Sequence, residues 1–307
     1  MTVLNPDRPF PTVDGVQVTH RYVDVNGVKI HLAEAGPSDA ELLFMCHGWP
    51  QHWWMWRKQL PFFAKRFHVI VPDMRGFGWS DAPDRSYGKD NLADEFAQLT
   101  QALGYPKIRL LSHDWGGWNG FIVCALHPGL ITQHFATNIP PIFPKYDIHA
   151  VIATLRFGYM LRIALPYLGQ RMLRRDGRFV HHLLTRGGTR PGGWTDAETS
   201  VFSSQFKEPA RARASSRLYG EFLLKEYVPA GVLGRYKRYR IHAPTRLLFG
   251  ERDFALDTCL LRDAERYFDD YQLELVPNTG HFIVDERPAL VSERAWAFFT
   301  DPRYASM

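Results

Sequence analysis

The chain has 307 residues, of which 45% are hydrophobic and 22% charged, and its formal net charge is +5. This length and composition fit one large domain, or one domain with a substantial insertion, and they exclude a chain dominated by disorder. No window of 18 or more apolar residues is free of charges, which excludes a membrane-spanning helix on sequence grounds.

The opening residues, MTVLNPDRPFPTVDG, contain no apolar stretch of the length that a signal peptide needs. The three cysteines, Cys46, Cys124 and Cys259, are far apart and lie in apolar segments. We therefore expect reduced thiols in the core, and neither a disulfide framework nor a metal site. Together these features predict a soluble protein of the cytoplasm.

A β-hairpin is predicted near the start of the chain, where VDVNGVKIHL (residues 23–32) places Asn26 and Gly27 as a two-residue turn. Helical stretches, such as 91–103 and 117–127, alternate with later apolar segments. These segments have the length of strands, and they lie at residues 41–46, 67–72, 108–111, 245–249 and 272–276. This alternation predicts an α/β fold with a mostly parallel sheet, in which ligands bind beyond the carboxyl ends of the strands.

The first loop of interest, His47-Gly48-Trp49-Pro50, follows the strand predicted at 41–46. This position suits a backbone N–H that lines an oxyanion hole. The second N–H of such a hole belongs to the residue that follows the nucleophile.

The segment Ser112-His113-Asp114-Trp115-Gly116 connects a predicted strand to a predicted helix. It fits the strand-to-helix elbow, whose nucleophile is flanked by small residues two positions before and after it because the turn is tight. An aspartate that only caps the helix is the alternative, but the small residues on both sides favour the elbow. With Asp114 as nucleophile, the donors of the oxyanion hole are the amides of Trp49 and Trp115.

An aspartate at the elbow predicts a different reaction from the usual serine. Serine suits acyl transfer, whereas an ionised carboxylate displaces a leaving group at saturated carbon and becomes an alkyl ester. Water activated by a histidine then attacks the carbonyl carbon of Asp114. This mechanism requires no metal and no organic cofactor.

The histidine and the acid of the predicted triad lie after the last two strands. His281 follows the final strand, and Asp253 follows the strand before it, with Glu251 and Asp257 as competing acids. The other position for the acid holds Asn138, which cannot carry the charge. The order nucleophile, acid, histidine is the order that the elbow motif predicts.

Seven of the nine tryptophans lie between Trp49 and Trp118, both included. Some of them pack the core, whereas Trp49, Trp115 and Trp118 border the predicted site. We therefore expect an apolar pocket suited to a hydrophobic substrate. The remaining predicted lining residues are His47, Gly48, Pro50 and Phe202.

Residues 151–240 contain 17 Lys and Arg against 6 Asp and Glu, a balance of +11, which leaves −6 for the rest of the chain. A basic segment attracts nucleic acid or an anionic membrane. Because these arginines are scattered, we interpret them as solvated helix faces and expect no nucleic acid partner. The apolar stretch at 149–169 allows contact with a membrane surface, but a lid over the pocket is the interpretation that we favour. The sequence does not predict the oligomeric state.

Five segments resemble the core of the α/β-hydrolase-fold epoxide hydrolases in the order of that family: HGWPQHWWMWRKQLPFFA, VIVPDMRGFGWSDAP, LLSHDWGG, GERDF and TGHF. The resemblance covers most of the chain. It implies an α/β-hydrolase core at 1–145 and 241–307 and a mainly helical cap at 146–240. It also implies that Asp114, Asp253 and His281 convert a hydrophobic epoxide and water into a vicinal diol.

Epoxide hydrolases usually carry two cap tyrosines whose hydroxyls donate to the epoxide oxygen. An alignment on the QF of SSQF places the second tyrosine at Tyr219 and the first at Phe202, which has no hydroxyl. Tyr159 and Tyr167 are further cap tyrosines, but no motif places either of them in the site.

Two alternatives stay open at this point. A haloalkane dehalogenase would use the same Asp114 with the indole of Trp115 as a halide donor, although such enzymes usually have a polar residue or an acid at the position of Trp49. A fluoroacetate-type dehalogenase would have arginine in place of Trp115. The second alternative is a non-catalytic ligand-binding protein, because a fold does not establish a function. The complete triad Asp114, Asp253 and His281 argues against it.

Overall fold

The computed structural model describes residues 13, 15–143, 145, 147–153, 158–175, 177–189, 193–227, 229–230 and 233–304. Residues 1–12 of the opening segment lie outside these ranges. So do residue 146, where the predicted cap begins, and residues 154–157 within the apolar stretch at 149–169.

The predicted hairpin is present and its strands extend beyond the predicted ends. Strand β1 (Thr19–Val25) pairs in antiparallel register with β2 (Val28–Ala35). Asn26 and Gly27 join them with φ values of 52° and 75°. Positive φ at both turn residues matches the right-handed twist of the flanking strands, which is why Asn-Gly is favoured there.

Among the described residues, eight strands form one sheet in the order β1-β2-β4-β3-β5-β6-β7-β8. The strands β3 to β8 pair in parallel, whereas β1 and β2 are antiparallel to their neighbours. The predicted α/β fold with a mostly parallel sheet is therefore confirmed. Strand β5 lies in the middle of the sheet, so the loop after it opens at the centre of the carboxyl edge. The bounds of the later strands are β3 (Leu42–Cys46), β4 (His68–Pro72), β5 (Ile108–His113), β6 (Ile131–Thr137), β7 (Thr245–Gly250) and β8 (Tyr271–Val276).

Helices cover the sheet because its central strands are buried on both faces; every residue of β3 and β4 is buried. Helix α3 begins at Trp115, earlier than the predicted residue 117, because Asp114 itself occupies the N-cap position. The core helices are α1 (Leu60–Phe63), α2 (Lys89–Ala102), α3 (Trp115–Leu126), α10 (Ile283–Glu286) and α11 (Pro288–Phe299).

The described residues between β6 and β7 include the helices α4–α9, and we call this part of the chain the helical insert. Within it, α5 and α6 pack against α9, which continues into a π-helical turn at Phe222–Glu226. The part of the chain that the structure describes contains no helix that is both long and apolar enough to span a membrane. The bounds of the insert helices are α4 (Ile148–Ala153), α5 (Gly158–Ala164), α6 (Leu168–Arg174), α7 (Arg178–Arg186), α8 (Asp196–Ser203) and α9 (Pro209–Glu221).

Candidate active site

The bend between β5 and α3 holds Asp114 in a backbone conformation that residues other than glycine rarely adopt. Its φ is 49° and its ψ is −125°, and such a conformation costs about 1–3 kcal/mol. A Cβ atom at Gly116 would lie 2.6 Å from the carbonyl oxygens of Cys46 and His47. The bend therefore excludes larger residues at Gly116, which is the physical reason for the small residue in the predicted elbow.

The loop after β3 lies directly against the carboxylate of Asp114. A Cβ atom at Gly48 would lie 2.3 Å from Cβ and 2.4 Å from Oδ1 of Asp114, so only glycine fits there. The amide of Trp49 donates to Oδ1 at 2.9 Å. The amide of Trp115 also donates to this carboxylate. Both amides predicted for the oxyanion hole thus contact the side chain on which a negative oxygen would form.

His281 lies between the two carboxylates of the predicted triad. Its Nε2 is 3.6 Å from Oδ2 of Asp114, and its Nδ1 is 2.7 Å from Oδ2 of Asp253. The other oxygen of Asp253 accepts from the amides of Ala255 and Leu256 at 2.7 and 2.9 Å. The fold therefore brings together three side chains that lie far apart in the sequence.

The two competing acids do not contact the imidazole. Glu251 is exposed. Asp257 accepts a hydrogen bond from the amide of Cys259 at 2.9 Å and caps the turn that follows. Of the three acids considered, Asp253 alone is hydrogen-bonded to His281.

Asn138 supports the triad in a way that the sequence does not predict. Its Nδ2 donates to Oδ2 of Asp253 at 2.8 Å and to the carbonyl of Gly280 at 3.2 Å. Its own Oδ1 accepts from the amide of Gly250 at 3.3 Å. Asn138 therefore fixes the acid and connects it to the loop that carries His281.

Glu286 holds the histidine loop from its other side. Its carboxylate accepts from the amides of Gly280 and Phe282 at 2.7 and 3.2 Å, on both sides of His281. The same carboxylate accepts from the hydroxyl of Thr189 at 2.6 Å. The backbone around the imidazole is thus fixed by a buried acid that no sequence motif indicated.

The charges of the three triad residues are coupled. Burial raises the pKa of Asp114, and the positive charge of His281 and the two amides oppose that rise. Burial alone would lower the pKa of His281. The charge of Asp253, the hydrogen bond to it and the charge of Asp114 outweigh burial and raise that pKa to about 9. The two neighbouring acids therefore favour the protonated form of the imidazole.

Two tyrosines of the helical insert lie together near the triad. Tyr219, on α9, is buried with its ring centroid 5.4 Å from that of Trp49 and 5.6 Å from that of Trp115. Tyr159, on α5, lies 6.1 Å from Tyr219 and 6.5 Å from Trp49 between ring centroids. Burial raises the pKa of both phenols well above the usual value, and the charge of Asp114 adds to the rise. Both hydroxyls therefore stay protonated and are available as donors.

The placement of Phe202 corrects the alignment of the cap. Phe202 is buried on α8, with ring centroids 5.2 Å from His52, 5.6 Å from Trp54 and 6.2 Å from Trp194. The side chain beside Tyr219 is Tyr159, because α5 and not α8 packs against α9. Tyr159, which no motif had placed, therefore lies beside Tyr219, whereas Phe202 packs against other rings. Tyr167 is 75% exposed and lies outside the site.

The remaining predicted lining residues include His47, Trp118 and Pro50. The imidazole of His47 is buried, with Nε2 accepting from the amide of Met74 at 2.9 Å and Nδ1 3.1 Å from the carbonyl of Gly48. His47 therefore holds the loop and presents no free nitrogen to a ligand. Trp118 is buried edge-on against Trp115, at 6.4 Å between centroids. Pro50 accepts from the side chain of Gln205, in the insert, at 2.8 Å.

An ion-pair network joins the loop after β3, the helical insert and the helix after His281. The guanidinium of Arg57 lies 2.8 Å from Oδ1 of Asp285 and 3.0 Å from Oε1 of Glu198. Gln51 donates to the other oxygen of Asp285 at 2.9 Å. Arg57 also stacks on Trp54, with its central carbon 4.1 Å from the ring centroid. One buried cation thus links three parts of the chain that surround the site.

A buried lysine lies behind Trp115. Lys89 is 1% exposed, and its Nζ lies 4.2 Å from the ring centroid of Trp115. The ammonium donates to the carbonyl of Leu218, the neighbour of Tyr219, at 3.3 Å and lies 3.9 Å from Oε2 of Glu226. Burial lowers the pKa of Lys89 to about 8, while the charge of Glu226 opposes the shift. This lysine connects α2 of the core to the end of α9.

We expect Glu226→Gln to destabilise the protein by about 3 kcal/mol, because it leaves a buried cation without its counter-charge. The amide oxygen of glutamine can still accept from the backbone N–H of Lys89, as Oε1 of Glu226 does at 2.5 Å. The double variant Lys89→Met/Glu226→Gln should regain most of the loss. Urea unfolding measures both effects.

The matched control for that experiment is Glu274→Gln, which breaks the exposed ion pair between Glu274 and Arg294 and should change stability by less than about 1 kcal/mol. If Glu226→Gln were as mild as this control, the buried pair would have no role in joining α2 to α9.

Comparisons with known proteins agree with this geometry. The model of the alpha/beta hydrolase fold family matches residues 41–288. Epoxide hydrolase 3 of Mus musculus is 30% identical over 286 residues, which cover 91% of this chain and 76% of the mouse protein. Soluble epoxide hydrolase of Corynebacterium sp. (strain C12) is 25% identical over 310 residues, which cover 94% of this chain and 99% of that protein.

Solved structures show the same fold. The epoxide hydrolase CorEH, solved without ligand, aligns with a TM-score of 0.80 at 24% sequence identity. The alignment covers 92% of this chain and 99% of that chain.

Proposed function

Because this chain belongs to the α/β-hydrolase-fold epoxide hydrolase family, we propose that it adds water to a hydrophobic epoxide and releases a vicinal diol. The observation that carries the proposal is the carboxylate at the bend after β5. Oδ1 of Asp114 is hydrogen-bonded to the amide of Trp49, whereas Oδ2 faces His281 at 3.6 Å. A carboxylate held in this way is suited to attack at saturated carbon.

The first step of the proposed reaction opens the epoxide. Oδ2 of Asp114 attacks a ring carbon, the bond from that carbon to the epoxide oxygen breaks, and an ester forms. The epoxide oxygen gains negative charge and takes a proton from Tyr159 or Tyr219. Burial raises the pKa of both phenols, so they are protonated, which is the form that donates.

The second step hydrolyses the ester. Nε2 of His281 takes a proton from water, and the resulting hydroxide attacks Cγ of Asp114. The negative charge then lies on Oδ1, where the amides of Trp49 and Trp115 donate, and each donor is worth about 3 kcal/mol. Collapse of the intermediate breaks the bond from Cγ to Oδ2, and the leaving oxygen takes the proton from His281. The new carboxyl group of Asp114 gives up its proton to restore the tyrosine hydroxyl, so the diol leaves with an oxygen of the enzyme and Asp114 keeps one from water.

The charge coupling within the triad supports this order of events. The charge of Asp114 is one of the causes that raise the pKa of His281. Ester formation removes that charge, so the pKa of His281 falls when the ester forms. The imidazole therefore becomes a base at the point in the cycle where a base is needed.

A single turnover in oxygen-18 water tests the mechanism. With an aryl epoxide and excess protein, we expect unlabelled diol and one heavy oxygen in the peptide that contains Asp114, both measured by mass spectrometry. The same experiment with Asp114→Ala should give neither diol nor label. Heavy oxygen in the diol of the first turnover would mean that water attacks the epoxide directly, and the ester mechanism would be rejected.

A substrate panel separates the proposal from its alternatives. We expect diol from terminal, aryl or lipid epoxides and no halide from haloalkanes. Halide release without diol would identify a dehalogenase that uses the same Asp114. Binding of these ligands without any product would favour the non-catalytic interpretation.

We also propose that residues 146–240 form a cap over Asp114. Three hydrogen bonds to the core support this: Gln205 donates to the carbonyl of Pro50 and accepts from the amide of Gly78, each at 2.8 Å, and the indole of Trp49 donates to Ser215 at 3.1 Å. A location in the cytoplasm stays a prediction. The free thiols of the three cysteines fit a reducing compartment.

A further inference from the structure

The outer side of α5 and α6 exposes a row of large apolar side chains. Leu161, Leu165 and Leu168 are 59%, 49% and 62% exposed, and Tyr167 is 75% exposed. The amide of Leu165 donates to the carbonyl of Leu161 at 3.2 Å, so Leu161 and Leu165 lie one helical turn apart, and Leu168 is the first residue of α6. Exposed apolar side chains that adjoin one another mark an interaction surface.

The other side of the same helices faces the protein interior. Met160 and Ile163 are buried, as is Leu173 on α6. Tyr159 belongs to the aromatic group around Trp49 and Tyr219. The interior side of α5 is therefore packed against the rest of the protein, and the exposed leucines lie on the opposite side.

The charged residues around this apolar row are all basic. Residues 148–175 contain five arginines and neither Asp nor Glu. Four of these arginines are described by the structure and are exposed, and within the described residues none of the four forms a salt bridge. They are Arg162, Arg171, Arg174 and Arg175.

Many exposed arginines elsewhere in the chain have a carboxylate partner. Arg21 pairs with Glu34, and Arg294 pairs with Glu274. The outer side of α5 and α6 is thus distinguished by apolar exposure and by guanidinium groups that have no counter-charge among the residues that the structure describes. A partner that complements both features must present apolar groups and negative charge on one surface.

We propose that this face binds the surface of an anionic lipid bilayer. In this arrangement Leu161, Leu165, Tyr167 and Leu168 enter the boundary between headgroups and acyl chains, and the arginines contact lipid phosphates. Ile148 and Ile152 on α4, which are 65% and 56% exposed, are further apolar side chains of the same insert. Double-stranded nucleic acid satisfies the arginines but leaves the leucine row in water, so a bilayer is the better fit.

The consequence for catalysis rests on the proposed function. Tyr159 and Leu161 are neighbours on one short helix, with Tyr159 in the site and Leu161 on the outer face. Docking of this face would bring the candidate active site within one helix diameter of the bilayer, in which hydrophobic epoxides dissolve.

Vesicle flotation of the full chain tests the proposal. We expect the protein to float with vesicles of phosphatidylcholine and phosphatidylserine, to bind phosphatidylcholine alone more weakly, and to lose affinity as salt rises. The variant Arg171→Gln/Arg174→Gln/Arg175→Gln should bind about 100-fold more weakly, because each charge contributes about fivefold. Leu161→Ser/Leu165→Ser/Leu168→Ser should lose binding to both kinds of vesicle.

A control variant at the β8 edge of the sheet carries equivalent changes. Leu273→Ser/Leu275→Ser/Arg294→Gln alters two exposed leucines and an exposed arginine near the far edge of the sheet, and it should float as the parent does. The Asp114→Ala protein should also float, which keeps the result independent of the reaction. Turnover of a small water-soluble epoxide by the serine variant shows that its fold is intact.

Three results would overturn the proposal. The first is the absence of flotation with both kinds of vesicle, and the second is equal flotation of all variants. The third is a concentration-dependent dimer, measured by light scattering, that the serine variant abolishes. That result would assign the face to a second copy of the chain.

Discussion

His281→Gln is expected to stop the reaction after ring opening, with the opened substrate attached to Asp114. Ring opening uses Oδ2 of Asp114 and a phenol, and neither depends on a base. Hydrolysis of the ester needs Nε2 of His281 to take a proton from water, and glutamine cannot do so. Loss of a general base slows a step by about 10²–10⁴-fold, so the ester should accumulate.

The adduct is measured as a gain in intact mass equal to the mass of the epoxide, located by peptide mapping. The pH of the experiment matters because burial raises the pKa of Asp114 and the charge of His281 opposes that rise. Without the imidazole the pKa of Asp114 is higher, so the carboxylate ionises at higher pH than in the parent protein, and the adduct should be measured over a range of pH.

The double variant Asp114→Ala/His281→Gln is the matched control and should gain no mass. An adduct on any residue other than Asp114 would assign the nucleophile elsewhere. Normal turnover by His281→Gln would remove the histidine from the mechanism.

Tyr159→Phe and Tyr219→Phe are each expected to slow ring opening by about 10²-fold, and the double variant by more than either single change. Each substitution removes one proton donor and keeps the ring that packs against Trp49. Ester hydrolysis should be unchanged, because it uses His281 and the two backbone amides. Single-turnover measurements separate the two steps, with the change in fluorescence of Trp49 and Trp115 reporting ester formation.

Two control variants test the geometry behind this prediction. Tyr167→Phe should leave ring opening unchanged, because Tyr167 is exposed. Phe202→Tyr should not rescue Tyr159→Phe, because Phe202 packs against His52 and Trp54 in a different part of the insert. If Tyr159→Phe and Tyr219→Phe both opened epoxides at the parent rate, the assignment of the proton donors would be wrong.

The fold and the centre of the site could be predicted from the sequence, because the residue patterns that indicate them are local. Asn26 and Gly27 predict a turn because these two residue types favour the backbone conformation that the turn requires. The apolar segments predict strands because they have the length of strands. Asp114 is recognisable because a tight bend requires small neighbours at fixed spacing. His281 and Asp253 follow from the rule that side chains after parallel strands meet at one edge of the sheet.

The residues that support the triad could not be predicted from the sequence, because their roles depend on packing between distant segments. Asn138 gives no sign in the sequence that it hydrogen-bonds Asp253, which lies 115 positions away. Tyr159 enters the site only through the packing of α5 against α9, and a count along the chain placed Phe202 there instead. Lys89 resembles a solvated residue in the first turn of a helix, yet it is buried beneath Trp115.

The network around Arg57 restricts how this protein can be re-engineered. Glu198 belongs to the helical insert, whereas Arg57 and Asp285 belong to the core. A chimaera that received a foreign insert without an acid at this place would leave the guanidinium with one counter-charge instead of two, close to the loop of His281. An insert that is grafted to change the range of substrates should therefore include Glu198 as well as the residues of the pocket.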